Sequence, residues 1–195
     1  VIFRVLPTGE DIVRRCFRAR LELQDEFQRI YIASMSSKTV VYKALATAPQ
    51  FVELYPDLTH GMRSAMAILH RRFSTNTISN WMLTQSFRFI AHNGEINSIR
   101  ANRAAIKDLA RSLGFPSVLQ RQGSDSADFD RALELLVVHG IPLTEAVRRM
   151  MPPAPKELVG EPRGFAQFLD ASRRVMGPLG AFEGPAAILA SDGDR

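Results

Sequence analysis

Three observations predict an α+β fold. Short β-branched and aromatic runs fill much of the first half, apolar residues recur with a helical period in the second, and the two never alternate as regular βαβ units. With 195 residues and 46% hydrophobic content, the chain can bury one core, so residues 1–195 read as a single domain or most of a somewhat larger one.

The elements follow in order. Residues 8–29 read as an amphipathic helix, with Thr8 and Asp11 at its cap and Val13, Phe17 and Leu21 at helical spacing. Residues 30–34 and 39–43 are β-branched and aromatic, and predict two strands around a turn at 35–38. The Pro-, Asp- and Gly-containing stretch 48–61 predicts a loop with one short helical turn. Residues 64–72 predict a strand running into the polar Ser74-Thr75-Asn76-Thr77. Residues 87–91 predict another, stopped by His92-Asn93-Gly94-Glu95, where Asn-Gly signals a turn.

Ile99, Ile106, Leu109, Ala110 and Leu113 then predict a helix closed by Gly114. Phe129, Ala132, Leu133, Leu136 and Val137 predict a second, stopped by Gly140. Residues 144–151 predict a short helix ended by Pro152, Pro153 and Pro155, and residues 164–176 a last one. Residues 186–190 read as a buried strand ended by Ser191-Asp192-Gly193.

The net charge of +5 raises the question of a nucleic acid or an anionic surface. The basic residues are spread in pairs such as Arg14-Arg15, Arg71-Arg72, Arg148-Arg149 and Arg173-Arg174, with no block of five or six like charges, and so read as solvated helix faces. Neither stacking motifs nor a helix-turn-helix accompanies them, so no nucleic-acid partner is expected. The single cysteine, Cys16, allows no intramolecular disulfide. No apolar stretch of membrane-spanning length is present, so no membrane partner is expected and a cytoplasmic location is.

Three apolar runs end in polar clusters, as if side chains were presented at the rim of a sheet: His70-Arg71-Arg72-Phe73-Ser74-Thr75-Asn76, His92-Asn93-Gly94-Glu95-Ile96-Asn97, and Gly123-Ser124-Asp125-Ser126. The guanidinium of Arg72 can grip a carboxylate with two parallel bonds, or make a structural or solvent contact at a strand end. The Asn93 side-chain amide and the Gly94 backbone N–H can form a two-donor oxyanion hole, glycine leaving room for a ligand's approach, or simply a turn. Asp125 can hold an ammonium group, or cap the helix that follows. Together these describe a pocket for an amino acid undergoing acyl transfer, glutamine being the obvious candidate.

At these residues the sequence resembles the class II glutamine amidotransferases, specifically the amidotransferase domain of the glutamate synthase large subunit. The run is His70 to Thr77, Trp81, Gln85, Phe87-Arg88, Ala91 to Asn97, and Asn102-Arg103. Further similarity lies in Ala33 to Lys43, Tyr55 to Leu58, Ser124 to Ala127, Ala132 to Leu136 and Glu183 to Ala187. The resemblance implies a four-layer αββα N-terminal-nucleophile hydrolase sandwich, incomplete at its N-terminus. It implies that Arg72 binds the glutamine α-carboxylate and Asp125 its α-amino group, that Asn93 and Gly94 form the oxyanion hole, and that Phe73 and Thr75 complete the substrate site. It also implies an N-terminal cysteine nucleophile, which lies well upstream in the family, so this chain alone is expected to be inactive; Cys16, within a helical pattern, reads as a structural thiol. No metal or cofactor is expected in this segment. FMN and an iron–sulfur cluster are implied in the rest of a full-length synthase, whose synthase domains are the implied partners. A catalytically silent regulatory domain and a basic nucleic-acid-binding domain are the competing readings.

Overall fold

The computed structural model describes residues 11–27, 29–71, 73, 78–97, 100–115, 118–119, 123–175 and 179–194. Helix and strand are mixed, as the sequence predicts. Among the described residues, six α-helices, α1 (Ile12–Glu26), α2 (Ala48–Leu54), α3 (Arg100–Ser112), α4 (Asp125–Val138), α5 (Leu143–Met150) and α6 (Arg163–Val175), accompany two strands, β1 (Ile90–Gly94) and β2 (Ala186–Ala190). No helix among the described residues is long and apolar enough to cross a membrane.

Helix α4 is the centre. Residues 127–136 are buried without a break, so no face of this helix meets water, and its flanks are covered by α1, α3 and α5. From α1, Phe17 and Leu21 pack inward, and Phe17 meets Phe115 edge-on at 5.1 Å. Phe129 of α4 meets Phe182 edge-on at 5.2 Å, which seats the approach to β2 against the core. The strands pair antiparallel from Ile90↔Ala190 to Gly94↔Ala186, and an isolated bridge, Asn97↔Glu183, extends the same register.

The helices of the second half lie within a residue or two of their expected bounds, and Gly114 and Gly140 end α3 and α4 at φ +72° and +87°. The strands are the main correction. Residues 30–34, 39–43 and 64–71 form no ladder among the described residues; the Val41 N–H is taken instead by the Ser34 hydroxyl at 2.9 Å. β-branched composition favours extended backbone but does not supply a partner strand. β1 begins three residues later than predicted, because Asp130 occupies the N–H groups of Phe89 and Ile90. β2 is half-buried, with Leu189 62% exposed, so only one of its faces meets the core. Residues 48–54 form a full helix rather than one turn, started by the Gln50 side chain, which accepts the Thr47 N–H at 3.0 Å. Residue 8, the expected cap of the first helix, lies outside the described residues; Asp11 stands at the cap position and makes no side-chain bond there.

The arginines are not all solvated. Arg20, Arg88 and Arg131 are buried, together with Lys43, around Asp130 and Glu134. Arg20 Nη2 and Arg88 Nε both donate to Glu134 Oε2, at 2.5 and 2.7 Å. Burial opposes the charge on Glu134, yet Arg20 and Arg88 hold its carboxyl below the ordinary value. Burial likewise opposes the charge on Arg88, but Glu134 and Asp130 raise its pKa. Arg20, with burial dominant and Arg88 repelling it, falls to about 10. Part of the excess positive charge is thus spent inside, binding α1 and the entry to β1 onto α4, and forms no surface patch.

Candidate functional site

The three polar clusters of the sequence meet at His92. Its ring Nε2 lies 2.6 Å from Ser126 Oγ, at the start of α4. Its carbonyl accepts from His70 Nε2 at 3.1 Å and from Gln85 Nε2 at 3.0 Å, while its N–H donates to Gln85 Oε1 at 2.6 Å. Gln85 therefore makes with one side-chain amide both bonds that a neighbouring strand would make. Because side chains alternate along a strand, the His92 ring turns inward and Asn93 outward: His92 is buried, Asn93 exposed. Burial, then the neighbouring His70, push the His92 pKa below its ordinary value, so the ring is neutral near pH 7.

Asn93 and Gly94 are the last residues of β1, not a turn after it, as their pairing with Ala187 and Ala186 shows. Gly94 has φ +98°, and a Cβ there would stand 2.1 Å from the Pro185 carbonyl oxygen. Its lack of a side chain thus serves the crossing of the two chains; room for a ligand is not what the close contact demands. The Gly94 N–H donates to Asn93 Oδ1 at 3.0 Å, so the two groups read as paired donors are engaged with each other.

Asp125 is the first residue of α4 rather than its cap. Ser124 is the cap, its hydroxyl accepting the Ala127 N–H at 3.2 Å. Arg103, on α3, joins both acidic residues of the α4 first turn, donating from Nη2 to Asp125 at 2.7 Å and from Nε to Asp128 at 2.6 Å. The bond to Asp128 is the main reason the Arg103 pKa is raised. Phe73 is half-buried, and Arg72 and Thr75 lie outside the described residues. Cys16 is a half-buried free thiol on α1.

The sequence model of the family described as glutamine amidotransferases class-II matches residues 10–195. The chain belongs to that family. Its relatives are glutamate synthases. It is 38% identical over 178 residues to the glutamate synthase [NADH] of Saccharomyces cerevisiae, 84% of this chain and 8% of that protein. It is 34% identical over 201 residues to ferredoxin-dependent glutamate synthase 2 of Synechocystis, covering 95% of this chain and 13% of that one. The glutamate synthase [NADPH] large chain of Azospirillum brasilense is 31% identical over 180 residues, 87% and 12% of the two. The chain thus spans about a tenth of the length of these relatives.

Several residues that build the site escaped the sequence reading of roles. Gln85, His92 and Arg103 fall within the motif run, yet nothing local says that Gln85 replaces a strand or that Arg103 gathers two carboxylates. Asp130 and Ser126 become visible only once β1 is laid on α4. α4 carries Asp125, Asp128, Asp130, Arg131 and Glu134 among its apolar residues, and nothing in that pattern says which of them are buried.

Proposed function

We propose that the chain is the glutamine-binding portion of the amidotransferase domain of a glutamate synthase, supporting hydrolysis of L-glutamine to glutamate and ammonia for transfer to 2-oxoglutarate. The observation that carries this is the meeting of the three motif segments at His92 in a chain matched to the family over residues 10–195. In this reading Arg72 binds the α-carboxylate, Asp125, oriented by Arg103, the α-amino group, and Phe73 and Thr75 line the substrate site. The Asn93 amide turns from the Gly94 N–H to present its own donor, and the two stabilise the oxyanion of the tetrahedral intermediate. The fold is the four-layer αββα sandwich, to which β1, β2 and the helices around α4 contribute.

The attacking thiolate is supplied from outside these 195 residues, since the one cysteine they contain is half-buried within α1. It displaces ammonia from the side-chain amide, and water then releases glutamate from the thioester. The flavin and iron–sulfur cluster implied for such an enzyme belong to its synthase part. The test is glutaminase activity. The full-length protein is expected to release ammonia from glutamine, and the 195-residue chain to release none. Arg72→Ala should chiefly raise KM, whereas Asn93→Ala should lower turnover by about 10²–10³-fold. Ammonia release by the isolated chain, or equal effects of both substitutions on both parameters, would overturn the assignment.

A further inference from the structure

The two halves of the proposed pocket sit on different elements, Asn93 and Gly94 on β1 and Asp125 on α4. Strand and helix are joined at two places. Where β1 begins, Asp130 Oδ1 accepts the N–H groups of Phe89 at 2.8 Å and Ile90 at 3.1 Å, and Oδ2 accepts that of Arg88 at 3.3 Å. Near its end, His92 Nε2 and Ser126 Oγ are 2.6 Å apart. The residue after His92 is Asn93, and the residue before Ser126 is Asp125. We infer that the His92–Ser126 bond is a positioning tether that sets the spacing between the oxyanion donors of β1 and the carboxylate of Asp125. The inference rests on the amidotransferase reading above.

Glutamine is long and flexible, so anchoring its α-amino end orients its amide only if the distance between the two anchoring groups is fixed. A misplacement of about 1 Å at a reacting centre can cost about 10²-fold in rate. The backbone of His92 is fixed on its other side by Gln85 and His70, and its ring reaches α4 from a defined point. That ring keeps Nδ1 buried with no hydrogen-bond partner among the described residues, while Nε2 makes the bond to Ser126.

A Ser–His nucleophile and base would show the same 2.6 Å separation. Such a pair needs a third group on Nδ1 to set the tautomer and stabilise the imidazolium. Here Nδ1 has none among the described residues, and burial disfavours the charged ring. The pair is built to hold, not to move a proton.

The experiment measures kcat and KM for ammonia release from glutamine by the full-length protein. His92→Phe keeps a buried ring and deletes the tether; it should lower kcat by about 10–10²-fold. Ser126→Ala should match it, the double variant should be no worse than either single, and Ser126→Thr, which keeps the hydroxyl, should restore most of the rate. Should His92→Phe fail to fold, Ser126→Ala and Ser126→Thr carry the test. Additive losses, or variants that lose only thermal stability with kcat unchanged, overturn the tether. Complete loss in Ser126→Ala without matching loss in His92→Phe makes Ser126 a nucleophile and overturns it too. A wild type that releases no ammonia sinks the amidotransferase reading along with the tether, whereas an active wild type with a silent His92→Phe sinks the tether alone.

Discussion

At His92 the hydrogen bonds of one backbone unit are distributed unevenly, and the asymmetry has a measurable consequence. The carbonyl has two donors, His70 and Gln85, while the N–H has the Gln85 side-chain oxygen. Removing His70 leaves the carbonyl with a partner; removing Gln85 strands a buried N–H, which costs about 1–3 kcal/mol. Gln85→Leu is therefore expected to lower the urea midpoint clearly, and His70→Ala to lower it by less than half as much. Equal effects would show that His92 is solvated on that side. Gln85 also marks a limit of sequence reading: the motif that contains it is legible, but a glutamine standing in for a strand is visible only against the strand it serves. Asn93 and Gly94 were legible as a unit and misplaced as a turn, because Asn-Gly favours positive φ wherever it occurs and the antiparallel crossing at Pro185 uses that conformation within the ladder.

Elements were legible in proportion to how local their causes are. α3, α4 and α5 follow from apolar period and terminal glycine or proline, all within a dozen residues of sequence. The segments 30–34 and 39–43 carry strand composition, but a ladder needs a partner that composition does not specify. The buried charges were invisible for a related reason, since Arg20, Arg88 and Glu134 are far apart in sequence and each alone reads as surface. Lys43 is the member of this group with a testable titration. It donates to the Met82 carbonyl at 2.9 Å and the Tyr31 hydroxyl at 3.1 Å, and burial pulls its pKa down to about 7. Above about pH 7 the folded state has released this proton while the unfolded chain keeps it to about pH 10.4, so stability rises with pH across that window. Below pH 7 both states are protonated and the burial penalty stands in full. Relative to Lys43→Met, the wild type should gain on the order of 2 kcal/mol between pH 7 and pH 9, read from paired urea midpoints. A constant difference between the two proteins would place the ammonium in water.

At the scale of the whole molecule, large apolar side chains stand in solvent among the described residues: Leu69 and Ile78 are 86% and 92% exposed, and Leu189 projects from the outer face of β2. The two strands form a sheet of their own; the outer edge of β1 is closed by Asp130, Phe87, Gln85 and His70, whereas β2 has no second partner strand among the described residues, and a two-stranded sheet is marginal in water without further packing. The core around α4 is closed, whereas Leu189 on the sheet and Met66 and Leu69 in residues 64–71 stand in solvent. Expressed by itself, the 195-residue chain should therefore bind a hydrophobic dye strongly, self-associate as concentration rises, and unfold over a broad range of urea. On the amidotransferase reading proposed above, versions carrying flanking sequence should lose the dye signal and sharpen the transition, because added chain would cover the outer edge of β2 and the exposed apolar side chains. Sedimentation and dye binding on the two lengths measure this directly. A monodisperse 195-residue monomer with a sharp transition and no dye binding would mean that the exposed apolar face is an ordinary solvated surface.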